Sequence, residues 1–149
     1  MLAVLQRVSR ASVSIEGAVV GQIGAGLTIF VGVAKGDGPA DIDYIASKIV
    51  DVRIFGDERG RMQHSVREVG GALLLISQFT LFGDVRRGRR PAFDAAEAPD
   101  VARRIYEDLV SRVRDSGVSV ETGQFQAHMT VELVNDGPVT ILLDSRKKE

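Results

Sequence analysis

The sequence feature that most restricts the fold is a run of five consecutive apolar residues at positions 72–76. Gly70-Gly71 precedes this run, and the polar pair Ser77-Gln78 ends it. A short apolar run bounded in this way is typical of a strand that is buried on both faces of its sheet. The sequence therefore predicts a central strand that ends abruptly in polar side chains.

Strand patterns outnumber helix patterns in the rest of the chain. Apolar residues at helical spacing predict one helix that opens at Gly38-Pro39 and continues to about Phe55, and a second that runs from near Pro99 to Gly117. Further strands are predicted, the first two as neighbours, at 2–8, 11–15, 18–20, 27–33, 119–122, 129–134 and 139–143. We therefore predict one mixed α/β domain over residues 1–149, mostly antiparallel, with two main helices.

Composition excludes several classes of site. The chain has 149 residues, of which 44% are hydrophobic, so it can bury an ordinary core. It has no cysteine, which excludes disulfides, thiolate nucleophiles and cysteine zinc sites and fits a reducing compartment. No signal-peptide pattern opens the chain, and no apolar run approaches the roughly 20 residues that span a membrane. We therefore expect a cytoplasmic protein that does not enter a membrane.

Positive charge is concentrated in one short segment. The net charge of the chain is -1, yet Arg86-Arg87-Gly88-Arg89-Arg90 places four cations within five residues. Two interpretations of this segment are open, a loop that binds a polyanion such as RNA and a solvated run of charge. The aromatic content of 5% argues against an extended base-stacking surface for single-stranded nucleic acid.

A polar segment, Asn135-Asp136-Gly137-Pro138-Val139-Thr140, separates two apolar stretches late in the chain. Glycine places no side chain in the way of a ligand, and proline is the residue that tolerates a cis peptide bond before it. Two interpretations are again open. The segment is either an ordinary hairpin turn or a rigid turn that presents bare carbonyl groups to a ligand.

The end of the predicted central strand is the strongest candidate for chemistry. Buried polar groups need partners, so the segment Ser77-Gln78-Phe79-Thr80-Leu81 is unusual in that position. It offers hydroxyls, an amide and backbone N–H groups, which can form an oxyanion hole without a titrating side chain. The alternative is a strand that ends in a plain turn, with Phe79 and Leu81 packed in the core.

Conventional catalytic groups are scarce. The chain has two histidines, His64 and His128, and neither can be placed beside a serine from the sequence. They belong to no HExxH motif or Cys/His cluster, and paired carboxylates occur only at helix starts and in loops. We therefore expect neither a metal nor another cofactor.

Together, the two polar segments resemble the signatures of the D-aminoacyl-tRNA deacylases, also called D-tyrosyl-tRNA deacylases. Residues 77–81 match the first signature and residues 135–140 match the second. The resemblance continues through residues 5–13, 53–55 and 89–93 and spans essentially the whole chain. It implies the fold of that family, barrel-like with a mostly antiparallel sheet, and a homodimer with its active site at the subunit interface.

The resemblance also implies the reaction. The substrate is an amino acid esterified to the 3′-terminal adenosine of tRNA, and hydrolysis frees tRNA from D-amino acids and from glycine mischarged on alanine tRNA. Gly137-Pro138 is the family's Gly-cis-Pro element, which reaches into the partner's site. Its carbonyl groups would fill the volume that an L side chain needs, so that L-amino acids are rejected while D-amino acids and glycine pass.

Individual residues take roles from the same resemblance. Arg7 would hold the partner's Gly137-Pro138, unless it is only a surface cation, and Met129 would line the adenosine pocket, unless it packs in the core. The residues implied in catalysis are Ser77, Gln78, Phe79 and Thr80, and those implied in tRNA binding are Arg86, Arg87, Arg89 and Arg90.

Two mechanisms of hydrolysis are open at this point. In the first, N–H groups around Phe79 and Thr80 bind the oxyanion, Gln78 and the Thr80 hydroxyl orient the ester or water, and the substrate's ribose 2′-hydroxyl helps to activate that water. In the second, Thr80 is a covalent nucleophile, although the sequence supplies no base for it. A non-catalytic alternative is a degenerate copy of the fold that binds tRNA or other nucleic acid.

Overall fold

A mixed sheet with helices packed on one face organises the chain, of which the computed structural model describes residues 1–147. Its helices are α1 (Pro39–Asp51) and α2 (Pro99–Asp115), with a short 3₁₀ helix at Phe79–Phe82. Its strands are β1 (Leu2–Ile15), β2 (Ala18–Ile23), β3 (Gly26–Gly32), β4 (Phe55–Gly56), β5 (Met62–His64), β6 (Ala72–Ser77), β7 (Ser119–Thr122) and β8 (Thr130–Asp144).

The sheet follows the order β2-β1-β3-β6-β7, with β8 paired to β1, while β4 and β5 form a separate two-stranded ribbon. β1 is antiparallel to β2, β3 and β8, whereas β6 is parallel to both β3 and β7. A Cβ atom on Gly21 of β2 would lie 2.7 Å from the carbonyl oxygen of Thr122 in β7, so the far edges of the sheet nearly meet. The predicted fold class is therefore confirmed: two helices and a mostly antiparallel, barrel-like sheet.

The predicted central strand is confirmed as β6. Leu73 and Leu75 pack in the larger core with the two helices, and Leu74 and Ile76 pack in a second core on the opposite face of the sheet. All four side chains are at most 1% exposed. Close packing against apolar side chains on both faces holds this strand in place, so its end is a rigid place for a site.

Helix α2 is anchored to the strand that carries the candidate site. The hydroxyl of Tyr106 donates to the carbonyl oxygen of Leu75 over 2.8 Å, and burial raises the pKa of this phenol well above its usual range. Leu109, Val110 and Val113 continue the buried face of the helix. None of the helices within residues 1–147 is long and apolar enough to cross a membrane.

Two of the predicted strand boundaries are wrong. Residues 2–8 and 11–15 form one continuous strand, β1, rather than two neighbours, because the polar pair Ser9-Arg10 is carried through as a register shift against β8 and not as a turn. Residues 129–134 and 139–143 likewise belong to one strand, β8, and both halves pair with β1. The hairpin interpretation of residues 135–140 is therefore wrong, since the segment is a bulge within β8.

The first helix is shorter than its apolar pattern suggested. It ends at Asp51, and Val52 already has extended backbone angles of φ −60° and ψ 132°. Pro39 starts the helix, and the N–H of Gly38 is bound by the carboxylate of Asp41 over 2.9 Å. The second helix agrees with its prediction at both ends.

Candidate active site

The polar end of β6 emerges at the surface as a turn. The N–H of Gln78 donates to the carbonyl oxygen of Val31 over 2.7 Å, which extends the β3–β6 ladder one residue beyond Ser77. The chain then enters the 3₁₀ helix at Phe79. Phe79 is 57% exposed and Leu81 is half-buried, so the interpretation that places both in the core is wrong for Phe79.

Within the described part of the chain, two backbone amides at this turn have no acceptor. The first N–H groups of a 3₁₀ helix lack intrahelical partners. Leu81 N donates to the carbonyl oxygen of Gln78 over 3.3 Å, but within residues 1–147 the N–H groups of Phe79 and Thr80 donate no hydrogen bond. Both residues are exposed, so these two donors are available to a ligand.

The side chains of Gln78 and Thr80 are hydrogen-bonded to each other. Nε2 of Gln78 donates to Oγ1 of Thr80, and the remaining Gln78 oxygen is left to accept from water or substrate. Among the described residues, Thr80 has no other side-chain partner, and an amide that donates to the hydroxyl cannot take its proton. The geometry therefore favours Thr80 as an orienting group rather than a nucleophile.

A cleft of about 670 Å³ lies beside this turn. Its floor and walls come from the end of β6, the segment before α2 and the loop between β7 and β8. Phe79 and Phe93 stand edge to face with ring centroids 5.1 Å apart. The residues that line it are Val33, Ile76, Ser77, Gln78, Phe79, Phe93, Ala96, Glu97, Ala98, Pro99, Ala102, Phe125, Gln126, Ala127, His128, Met129 and Val131.

Some of the predicted site residues line the cleft, and others lie outside it. Ser77, Gln78, Phe79 and Met129 line it, whereas Thr80 is not a lining residue but is hydrogen-bonded to Gln78, which is. Met129 is also half-buried against the second core, as its core interpretation expects, and its contact with adenosine stays a prediction. The arginine segment and the Gly137-Pro138 bulge lie outside the cleft wall.

Apart from Met129, sequence reasoning missed the wall opposite β6. Phe125 and His128 reach the cleft from the loop between β7 and β8, a segment without periodicity or motif. Phe125 is held by Tyr106, with ring centroids 6.2 Å apart, and by the guanidinium of Arg103, 5.0 Å from its ring. Only tertiary packing brings this loop to the site. His64 lies elsewhere, beside Glu68 at 3.6 Å.

Arg7 and the bulge form a second cluster. The Gly137-Pro138 peptide bond is cis, and both residues are exposed. Nε of Arg7 donates to the carbonyl oxygen of Asp136 over 3.1 Å, and its Nη1 donates to that of Ile54 over 2.6 Å. Arg7 thus contacts the bulge of its own chain and is no free surface cation; its contact with a partner's Gly137-Pro138 stays a prediction.

The arginine segment is a small hairpin between Asp84 and Ala92, whose backbones pair, and we call it the arginine hairpin. Arg86 donates to both carboxylate oxygens of Asp84, at 2.9 and 2.7 Å, which lowers the pKa of that carboxyl to about 2 and raises the pKa of Arg86. Within residues 1–147, the other three arginines form no ion pair, and all are exposed: Arg87, Arg89 and Arg90. An open pocket with a volume of about 630 Å³ lies between these side chains.

No group of three or more histidine, aspartate or glutamate side chains within residues 1–147 is placed to hold a metal ion.

The sequence and the fold both match known proteins along nearly their entire length. The profile of the D-Tyr-tRNA(Tyr) deacylase family matches residues 4–144. The D-aminoacyl-tRNA deacylase of Symbiobacterium thermophilum is 58% identical over 145 residues, which are 97% of this chain and 96% of that protein. The D-aminoacyl-tRNA deacylase of Heliobacterium modesticaldum is 54% identical over 149 residues, covering 100% of this chain and 99% of that protein.

Solved structures agree with the sequence relatives. A structure described as c-Myc DNA Unwinding Element Binding Protein has a TM-score of 0.91 at 35% identity and covers 97% of this chain and 98% of that one. A probable eukaryotic D-amino acid tRNA deacylase has a TM-score of 0.83 over 95% of this chain and 97% of that one, and at 18% identity it shows the shared fold alone. With a family profile over residues 4–144 and relatives more than half identical over the full length, the chain belongs to the D-Tyr-tRNA(Tyr) deacylase family.

Proposed function

We propose that the chain hydrolyses the ester bond between a D-amino acid and the 3′-terminal adenosine of tRNA, in the cleft at the end of β6. The observation that carries this proposal is the pair of unpaired amides, at Phe79 and Thr80, beside an aromatic cleft. The names of the relatives support it, since both state D-aminoacyl-tRNA deacylase. The reaction is cytoplasmic proofreading that keeps D-amino acids out of translation.

The cleft suits the adenosine end of such a substrate. Its volume of about 670 Å³ is in the usual range for a small-ligand site. An adenine ring stacks favourably on aromatic side chains, and Phe79 and Phe125 line the cleft. The sulfur of Met129 adds a polarisable contact. Bound there, the nucleoside places its esterified ribose at the turn after Ser77.

The chemistry requires a water molecule and a place for negative charge. Water oxygen attacks the ester carbonyl carbon, and the carbonyl oxygen becomes an oxyanion that the N–H groups of Phe79 and Thr80 bind. The bond from that carbon to the ribose oxygen then breaks, and the ribose oxygen takes one proton of the attacking water. The second proton passes to solvent, and the amino acid leaves as its carboxylate. Gln78 orients the water or ester through its free amide oxygen, and the ribose 2′-hydroxyl helps to activate the water.

Thr80→Ala is expected to lower turnover of a D-aminoacyl-tRNA only about fivefold to tenfold, the cost of one lost hydrogen bond. The hydroxyl accepts from Gln78 and orients it, whereas the Thr80 amide is kept in the variant. Single-turnover hydrolysis by wild type, Thr80→Ala and Thr80→Ser measures the effect, with Thr80→Ser as the variant that keeps the hydroxyl. Complete loss of turnover in a folded Thr80→Ala protein would refute the backbone mechanism, and retained turnover refutes the nucleophile.

Chiral selection is proposed to come from a second copy of the chain. Gly137 and Pro138 are exposed and do not line the cleft of their own chain within residues 1–147, so they are free to enter another copy's cleft. Apolar side chains on the same strand are also exposed, Val134 at 40% and Leu142 at 75%, which supports a homodimer that covers β8.

The carbonyl groups of Gly137 and Pro138 would act by exclusion. D- and L-amino acids differ in which direction their side chain leaves Cα, and rigid carbonyls in the L direction leave no room for it. A D side chain leaves towards solvent, so its identity matters little. Glycine has no side chain to exclude, and glycine mischarged on alanine tRNA is therefore a substrate as well.

The arginine hairpin is proposed to bind the phosphates of the tRNA. It joins the cleft directly, because Phe93 follows the hairpin and packs on Phe79. Arg86 is already neutralised by Asp84 and holds the hairpin's shape. The exposed cations Arg87, Arg89 and Arg90 are the ones left to contact phosphate oxygens.

Charge reversal of Arg87, Arg89 and Arg90 to glutamate is expected to weaken tRNA binding equally for every D-amino acid. A plot of log affinity against log salt concentration has a negative slope, and this slope should become shallower by about three, one for each lost phosphate contact. A filter-binding titration over a range of salt measures both quantities. Arg59→Glu, at an exposed arginine in the β4–β5 turn, is the control for reversal of a single surface charge outside the hairpin and is compared with Arg89→Glu alone. An unchanged slope would remove the arginine hairpin from the tRNA interface.

A second candidate is a nucleic-acid-binding module without catalysis. It is favoured by one observation, the name of the structural neighbour at 35% identity, which describes a DNA-binding protein. Incubation of the pure protein with D-Tyr-tRNA and L-Tyr-tRNA separates the two candidates. Release of D-tyrosine alone supports the deacylase, whereas binding without release of either amino acid supports the module.

A further inference from the structure

The Gly137-Pro138 bulge is held by the side chains of Asn135, Gln6 and Arg7. In the β1–β8 ladder, Gln6 pairs with Thr140 and Val8 pairs with Asn135. A single residue of β1, Arg7, therefore stands opposite residues 136–139 of β8. The excess backbone is pushed out of the sheet as a loop, and its shape depends on what holds the two ends together.

Asn135 holds those ends. Its Nδ2 lies 2.6 Å from Oε1 of Gln6, 3.3 Å from the carbonyl oxygen of Arg7 and 3.3 Å from that of Val139. One half-buried amide thus joins the residue that precedes the loop to the residue that closes it, and ties both to β1. Its two N–H groups are shared among three acceptors, so removal of the amide takes away the side chain that bridges the two ends of the loop.

The opposite side of the loop is fixed by Arg7. Its Nε binds the Asp136 carbonyl at 3.1 Å and lies 3.4 Å from the Asp136 carboxylate, while its Nη1 is anchored on the Ile54 carbonyl. A Cβ atom on Gly137 would lie 3.0 Å from Nη2 of Arg7, so this guanidinium packs directly against the loop. Arg7 thus contacts the loop at Asp136 and Gly137, and Asn135 joins the two ends of the loop where it leaves the sheet. Together they fix the position of the Gly137 and Pro138 carbonyl groups.

We propose that Asn135, with Gln6 as its acceptor, is a positioning residue that sets how strictly L-amino acids are excluded. This rests on the proposed function, in which the loop enters the cleft of a second copy. Asn135 lies outside the cleft and touches no proposed reacting atom. Its loss therefore leaves the oxyanion amides in place and lets the excluding carbonyls move. Exclusion by contact is steep, because a displacement of about 1 Å is enough to change rates by orders of magnitude.

The test compares hydrolysis of D-Tyr-tRNA and L-Tyr-tRNA by the full-length protein and two variants, Asn135→Ala and Gln6→Ala. Each variant removes one side of the Asn135–Gln6 bond, so the test stands even where one of them folds poorly. We expect L-Tyr-tRNA hydrolysis to rise about tenfold, the worth of roughly one hydrogen bond in the position of the loop, and D-Tyr-tRNA hydrolysis to change less than threefold. Thr140→Val is the matched control, because Thr140 faces the same Gln6 oxygen at 3.4 Å but does not bridge the two ends of the loop.

The ratio of the L-Tyr-tRNA rate to the D-Tyr-tRNA rate distinguishes a residue that positions the loop from one that only stabilises the fold. A variant that only loosens the protein or its dimer lowers both rates together, and that result would overturn the proposal, as would a wild-type ratio in folded Asn135→Ala and Gln6→Ala. Thermal unfolding and light scattering on the same samples establish the fold and the oligomeric state. A wild-type protein that hydrolyses both substrates alike overturns the proposed function itself, whereas a selective wild type beside equally selective variants overturns only the role of Asn135.

Discussion

Gly26→Ala is expected to lower the free energy of unfolding by about 3 kcal/mol, because the added methyl group has no space. Gly26 opens the parallel pairing of β3 with β6, and its Cβ would lie 1.8 Å from the carbonyl oxygen of Ala72. That neighbour is backbone and cannot rotate away, so the two strands must separate where the central strand begins. For a chain of this length the midpoint of thermal unfolding should fall by about 6–12 °C, measured by calorimetry at fixed protein concentration.

Gly24→Ala is the matched control for this substitution. Gly24 lies two residues earlier, and a Cβ atom there would meet no atom within 4 Å. Its stability should stay within about 1 kcal/mol of wild type, with any gain coming from the lower entropy of the unfolded chain. Equal midpoints for the two variants would show that β3 and β6 are not held at the spacing described above.

The central strand could be predicted because its evidence is local. The apolar run at 72–76 can be buried on two faces only in the middle of a sheet, and its polar end had to emerge near a surface. The cores on either side of β6 confirm this. Helix α2 could be predicted for the same reason, since its apolar positions recur at helical spacing within a single segment.

The sequence predicts two strands where β1 and β8 are each continuous, because bulges and turns favour the same residue types. Ser9-Arg10 and Gly137-Pro138 both interrupt an apolar pattern, which is the ordinary signal of a turn. What distinguishes a bulge is the pairing partner, and the partner of β8 lies in β1 at the other end of the chain. No local pattern contains that information.

Most of the candidate site could be predicted on one side only, and Met129 is the one residue predicted on the other. The residues at the end of β6 follow from the buried strand and from the first signature. The opposite wall, with Phe125 and His128, depends on how the loop after β7 packs against α2 through Tyr106 and Arg103. Those contacts are tertiary, and the short polar loop carries no periodicity from which they could be read.

Phe79→Pro is expected to lower kcat for a D-aminoacyl-tRNA by about 10²–10³-fold, the usual cost of one lost oxyanion donor. Proline has no N–H, so the variant removes one of the two free amides while Thr80 keeps the other. The backbone accepts the change, because proline is tolerated at the first position of a helix and the preceding Gln78 has non-helical angles of φ −143° and ψ 82°. Single-turnover hydrolysis of D-Tyr-tRNA at saturating enzyme measures the chemical step.

Phe79→Ala is the variant that isolates the amide, since it removes the same ring and keeps the N–H. The ring stands against Phe93 in the cleft, so its loss should weaken substrate binding and raise KM in both variants. Only Phe79→Pro should then lose kcat as well, and the ratio of the two kcat values reports the contribution of one N–H group to the transition state. Equal kcat values in two folded variants would contradict the oxyanion role and would move the source of rate enhancement to Gln78 and the substrate's own 2′-hydroxyl. A kcat that falls only in Phe79→Pro identifies the backbone at the end of β6 as a catalytic group, which explains how residues 78–81, none of them a histidine or a carboxylate, contribute to hydrolysis of an ester.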